Sequence, residues 1–234
     1  MNFIMTERRG IFMNLFDILG PIMVGPSSSH TAGAVKIGYV SRKLMSEPIV
    51  KATILLYGSF LATGKGHGTN LALVAGLLGM KPDDSRIPKS IELARESGME
   101  ISFGEAELKE GHPNSVQLIL TGESGKTLEI VGESIGGSRI NIASIDGLSA
   151  NFSGDLPTLI VHNQDQPGHV AEVTSMLAHK SINIATLQLY RDGRGSNAVM
   201  VFELDQEVPK ESIAWLEHLE GINKVTYYSL EENR

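Results

Sequence analysis

The sequence predicts an α+β protein of two domains, and three observations carry that reading. Helix-period apolar patterns are followed by alternating strands up to about residue 150, residues 157–231 run in β-α-β-β-α-β order, and a polar, glycine-containing segment, Ser149–Leu156, lies between the two patterns. A chain of 234 residues accommodates one large domain or two ordinary ones. A hydrophobic fraction of 41% beside 20% charged residues belongs to a globular chain, not a disordered or collagenous one.

Taken in order, GPSSSHTAG precedes a helical pattern with Ile37, Val40 and Leu44 spaced i, i+3, i+7, and KATILLYG reads as a buried strand. A second helix is expected to start near Thr69, with Leu71, Val74, Ala75 and Leu78 on one face. A third, IELARES, follows Pro88 and stops at Gly98. EISFGEA, SVQLILTG, TLEIVGES and RINIASI then read as strands of an antiparallel sheet, with Glu123-Ser124-Gly125-Lys126 as a hairpin turn. In the second half PTLIVHN is a strand and GHVAEVTSMLAHK a helix presenting Val170, Val173, Met176 and Leu177. INIATLQLY is the next strand, and Asp192-Gly193-Arg194-Gly195 turns the chain into NAVMVFELD. A helix after Pro209 carries Ile213, Leu216 and Leu219, and INKVTYYSL closes the order. This is the ferredoxin-like βαββαβ arrangement, two helices on one face of a four-stranded sheet.

Composition excludes several functions. The longest apolar stretches, such as Leu71–Met80, reach about half of the ~18 residues that a membrane-spanning helix needs. Net charge is −7, from 20 basic and 27 acidic residues, without a run of Lys or Arg longer than a pair, so no nucleic-acid partner is expected. The count of cysteines is 0, which removes disulfides, a cysteine nucleophile, a Cys-rich zinc site and any self-contained thiolate-ligated iron–sulfur cluster. Residues 1–12 lack an apolar core and a small-residue cleavage site, so no secretory signal and a cytoplasmic location are expected, and because Met13 opens a cleaner start, MNLFDILG, residues 1–12 read as an N-terminal extension.

Two segments carry the chemistry. In Gly25-Pro26-Ser27-Ser28-Ser29-His30-Thr31-Ala32-Gly33, hydroxyls stand at the mouth of a helix, whose free N–H groups and dipole attract an anion such as a carboxylate. His30 beside that anion is placed for proton transfer, although the same residues would also serve a well-capped helix with a surface histidine. In Tyr57-Gly58-Ser59 and Thr63-Gly64-Lys65-Gly66-His67-Gly68-Thr69-Asn70, alternating glycines in a loop let backbone amides approach a ligand, and Thr69 or Asn70 opens the next helix. Two such mouths together predict a carboxylate site with one or two histidines as acid and base. Gly132-Glu133-Ser134-Ile135-Gly136 fits a nucleophile-elbow pattern, but it lacks the helix that must follow. The seven histidines never form a His-x-x-x-His pair, and no metal ligand is expected in this chain.

GPSSSHTAGA, YGS with TGKGHGT, and SIGGSRINI closely resemble the beta subunit of bacterial iron–sulfur-dependent L-serine dehydratases, and HNQDQPGHVAEV with INIATLQLYR resembles an ACT domain, a small amino-acid-binding module. The resemblance divides the chain into an extension (1–12), a dehydratase beta-chain domain (13–150), a linker (151–156) and an ACT domain (157–231). It implies a lyase of amino-acid catabolism and gluconeogenesis, an L-serine ammonia-lyase that converts L-serine to pyruvate and ammonia. His67 is the implied base and His30 its partner, with Ser28, Ser29, Thr31, Ser59 and Thr69 as substrate-binding residues. Asp165, Gly168 and Asn183 form the implied regulatory-ligand set. A [4Fe–4S] cluster is also implied, but with no cysteine here its ligands must come from a cysteine-bearing alpha subunit, in a heterodimer whose ACT modules also pair. The first domain is similar as well to the allosteric substrate-binding domain that some phosphoglycerate dehydrogenases carry beside an ACT domain. That similarity supplies the competing expectation of a non-catalytic amino-acid sensor.

Overall fold

The computed structural model describes residues 23–229 except 110 and 192, so the expected extension at residues 1–12 and the end of the 157–231 segment lie outside the described residues. A π-helical turn, Ser28–Gly33, runs directly into α1 (Ala34–Met45). Then come β1 (Ile49–Tyr57), α2 (Gly58–His67), α3 (Thr69–Leu77), α4 (Ser90–Glu96) and β2 (Glu100–Glu105). β3 (Asn114–Gly122), β4 (Thr127–Gly136), β5 (Arg139–Ile145) and β6 (Leu148–Phe152) complete a six-stranded sheet of order β2-β1-β3-β4-β5-β6. Only the β1–β2 pair is parallel; β1 pairs with β3, and each later strand with the next, in antiparallel register. The architecture is the α+β one expected, with helices on one face, where Ile54, Leu118 and Ile130 are fully buried together with Ile37 and Leu44 of α1.

The helix expected at Thr69 is there, but not with one apolar face. Residues Ala72 through Leu77 of α3 are all buried, whereas Leu71 and Leu78 are only half so. The reason is a glycine crossing. A Cβ on Gly76 would lie 2.1 Å from the Val35 carbonyl oxygen, and one on Gly38 would lie 2.3 Å from that of Leu73, so α1 and α3 touch backbone to backbone.

Two further expectations are corrected. The glycine-rich loop around His67 is a helix, α2, anchored by fully buried Phe60 and by the Ser59 N–H donating to the Pro113 carbonyl at 2.6 Å. It ends where Gly68 turns left-handed, at φ 74°. The segment read as a linker from Ser149, with residues 151–156 as its narrower span, begins inside β6, where Ser149 pairs with Ser144 and Phe152 with Ile142. Phe152 is 1% exposed and belongs to the core.

The second half consists of β7 (Thr158–Gln164), α5 (His169–His179), β8 (Ile184–Arg191), β9 (Asn197–Leu204), α6 (Lys210–Glu217) and β10 (Ile222–Tyr228). Its antiparallel sheet has the order β10-β7-β9-β8, the expected ferredoxin-like topology. Val173, Met176 and Leu177 of α5 are buried as expected, but Val170 is 39% exposed. Leu159, Val161, Met200 and Phe202 face the helices, while Ile160, Val199, Val201 and Tyr228 face the other way and join the core of the first domain. Buried Glu203 clamps the two halves, accepting from Ser153 N (2.9 Å), Ser153 Oγ (2.6 Å) and Thr186 Oγ1 (3.0 Å). Among the described residues no helix is long and apolar enough to cross a membrane.

Candidate active site

Ser27, in extended conformation, caps the π-helical turn by accepting from the His30 N–H at 3.1 Å. The turn is held from both sides. A Cβ at Gly25 would lie 2.5 Å from Thr31 Oγ1, and one at Gly33 would lie 2.2 Å from Ser134 Oγ, so glycine at both positions lets the segment seat against its neighbours. Packed against β4, α2 and α3, it leads with Ser28 and Ser29, whose amides stand in the first turn where no intrahelical acceptor exists.

That seating brings the two histidines together. The His30 and His67 rings meet edge to face, with centroids 5.0 Å apart at 71°, and Phe60 closes another side of His30 at 5.3 Å. His30 Nε2 lies 3.2 Å from Ser59 Oγ and 3.0 Å from Thr63 Oγ1, and its Nδ1 lies 3.4 Å from Ser27 Oγ. Burial holds the His30 pKa below its ordinary value, His67 adds repulsion in the same direction, and the Ser59 backbone carbonyl opposes both. His67 is exposed, at the last position of α2.

Of the expected residues, His30, His67 and Ser59 are in direct association, and Ser28, Ser29 and Thr31 share the turn that carries His30. Thr69, fully buried at the start of α3, packs against Gly64. The side chains of Thr31, Thr69 and Ser134 are all buried with a hydroxyl that has no hydrogen-bond partner among the described residues. Sequence reasoning missed Ser27, Phe60 and Thr63 as neighbours of the histidines. The i, i+4 spacing of Ser59 and Thr63 would have revealed them had the segment been read as a helix. The nucleophile-elbow pattern falls on β4, mid-sheet, without a following helix.

The regulatory set is not assembled within one chain. Asp165 Oδ2 accepts from Arg191 Nη1 (2.9 Å) and Gly195 N (3.1 Å), and the Gly195 N–H and then the Arg191 guanidinium hold its carboxyl below the usual range. It does not cap α5. Gly168, at φ 113°, occupies the position before the helix, and Pro167 precedes it. Asn183 donates to Asp205 Oδ2 at 2.6 Å, at the end of β9 opposite to the one that faces Asp165. Among the described residues no group of three or more His, Asp or Glu side chains could hold a metal ion.

A family model described as "Serine dehydratase beta chain" matches residues 14–144, and one described as "ACT domain" matches residues 157–214. The chain is 39% identical over 215 residues to the "Probable L-serine dehydratase, beta chain" of Bacillus subtilis (strain 168), covering 92% of this chain and 97% of that one. It is also 39% identical over 192 residues to the "L-serine dehydratase, beta chain" of Peptoniphilus asaccharolyticus, covering 82% and 86%. A D-3-phosphoglycerate dehydrogenase of Bacillus subtilis (strain 168) is 25% identical over 198 residues, which are 84% of this chain and 37% of the enzyme. With the family model spanning more than half of the sequence and two relatives aligned almost end to end, the chain belongs to the serine dehydratase beta chain family and carries an ACT domain in its second half.

Proposed function

We propose that this chain is the carboxylate-binding, proton-transferring subunit of an L-serine ammonia-lyase. In that reaction L-serine loses its Cα proton and its Cβ hydroxyl as water. The resulting aminoacrylate takes up water and releases ammonia, leaving pyruvate. The observation that carries the reading is the contact of two imidazoles, His30 and His67, at the amide-bearing mouth of the π-helical turn. The Ser28 and Ser29 amides and the Ser59 hydroxyl suit a serine carboxylate. His67, exposed beside them, is the base that takes the Cα proton, and His30 orients it.

The residues of this chain do not fit the iron–sulfur cluster that the family implies. There is no cysteine, and no described cluster of metal-ligating side chains. The cluster is therefore assigned to a cysteine-bearing alpha subunit, and no step is derived through it. Anaerobic co-expression with that partner should give serine-dependent pyruvate, with none from the purified single chain. Near-normal kcat in the complex carrying His67→Ala would remove His67 as the base.

The ACT half is proposed to pair with a second copy. On its edge strand β8, Leu187 and Leu189 are 42% and 51% exposed. Asp165, Gly168 and Asn183 are proposed to meet one ligand across such a pair, and calorimetry of the dimer with L-serine tests whether it binds. The 25% identity to phosphoglycerate dehydrogenase supports a second reading, a non-catalytic sensor of serine or a related acid. A cysteine-rich dehydratase-like neighbouring reading frame supports the first reading, and its absence the second.

A further inference from the structure

The motif that carries His67 also contains Thr63, whose hydroxyl reaches His30. One helical turn beyond Ser59 on α2, its Oγ1 lies 2.8 Å from the Ser59 carbonyl oxygen and 3.0 Å from His30 Nε2. A hydroxyl has one proton to give, and a carbonyl can only accept, so the 2.8 Å contact uses that proton. What remains toward His30 is a lone pair, and the 3.0 Å contact is a hydrogen bond only when Nε2 carries the hydrogen. The Ser59 backbone carbonyl, a second acceptor beside the ring, favours the same arrangement. On the far side of the ring Ser27 Oγ already accepts from the His30 N–H at 3.1 Å, and its own proton is free to go to Nδ1 at 3.4 Å. The opposite tautomer would turn a bare Nε2 toward the lone pairs of Thr63 Oγ1 and the Ser59 carbonyl, with the Ser59 hydroxyl at 3.2 Å as its one donor there.

We propose that Thr63 is a positioning residue: by accepting from Nε2 it fixes His30 as the neutral Nε2–H tautomer with Nδ1 held by Ser27, leaving His67 as the imidazole that carries the proton. The two rings lie 5.0 Å apart, and repulsion from His67 acts on His30 in the same direction as burial, toward the neutral form. With Nε2–H given to Thr63, the Ser59 hydroxyl at 3.2 Å has no acceptor on the ring and keeps its proton for an anion. The catalytic consequence rests on the dehydratase reading of the site, whereas the tautomer does not.

The test is therefore made in two arms. Nitrogen-15 NMR of the histidine rings in the full chain should show His30 as the Nε2–H tautomer, titrating below 6.5. Thr63→Val should give a tautomer mixture, and Thr63→Ser should restore the single form. A wild-type His30 protonated on Nδ1, or a Thr63→Val ring unchanged in tautomer and titration, overturns the proposal. In the complex with the cysteine-bearing partner, Thr63→Val should lower kcat roughly tenfold with KM little changed, shift the acid limb of the pH profile, and be rescued by Thr63→Ser. The expected NMR pattern beside a complex that does not turn over serine supports the tautomer and counts against the dehydratase reading alone.

Discussion

Thr31 is 2% exposed, and its Oγ1, lying against the bare backbone of Gly25, has no hydrogen-bond partner among the described residues. A buried hydroxyl left unpaired costs about 1–3 kcal/mol, and one in the turn that carries His30 is placed to donate to a bound carboxylate instead. Thr31→Val keeps the shape and removes the orphan. The expected outcome is a thermal midpoint equal to or above that of the wild type, together with a KM for serine raised roughly tenfold in the two-subunit complex, the effect of losing one hydrogen bond to a carboxylate. A lower melting point would mean that the hydroxyl serves the fold, and an unchanged KM would assign Thr31 to packing alone.

At the level of elements, the same substitution should act with opposite sign on two helices. Gly66 lies within α2 with nothing within 4 Å of where a Cβ would stand, so Gly66→Ala should stabilise by about 0.5–1 kcal/mol through helix propensity. Gly76, inside α3, gains the same propensity, but its Cβ would meet the Val35 carbonyl at 2.1 Å. The helices would have to separate, at about 1–3 kcal/mol, and overpacking wins. Urea midpoints of the two variants moving in the same direction would contradict this account. These glycines also show where the sequence stopped being readable. Strands with strong alternation, such as SVQLILTG and TLEIVGES, appear as read, because one buried face fixes both type and register. α2 was hidden because four of its ten residues have low helix propensity on their own, three glycines and a threonine, and what makes it a helix is tertiary: Phe60 in the core and the Pro113 carbonyl capturing Ser59 N. β6 was hidden for a related reason, since Ser149 and Asn151 read as polar spacer until β5 pairs with the first and Asn141 and Tyr190 bond the second. At the site, the motif residues were legible by type. The partners Ser27 and Thr63 were not, because their meaning depends on which helix face they share.

Across the whole molecule, the two halves meet through a surface that buries one histidine and one tyrosine, each held toward its neutral form. His162, on β7, is buried, and its pKa is lowered by burial first and by Lys224 second, with Asp146 opposing; Lys224 and Asp146 are themselves paired across the halves at 2.6 Å. Tyr228, on β10, donates to the Gly154 carbonyl at 3.1 Å and is 3% exposed, so burial raises its pKa above the ordinary value of 10.0. The signs follow from linkage. As pH falls below about 6.5, the unfolded chain takes up a proton at His162 that the folded one refuses, so stability present at neutral pH is lost toward acid. As pH rises past about 10, the unfolded chain ionises its tyrosine while the folded one does not, so stability is lost toward alkali. His30, whose pKa is also lowered, adds to the acid limb. Thermal melts from pH 5 to 11 should therefore trace a plateau with a fall on either side, both halves of the protein melting together because they share one core. Tyr228→Phe should lower the plateau by about 1 kcal/mol for the lost hydrogen bond and flatten the alkaline limb, leaving the acid limb unchanged. An alkaline limb that persists in Tyr228→Phe would show that the interface is not what titrates there, and separate transitions for the two halves would show that the shared core does not couple them.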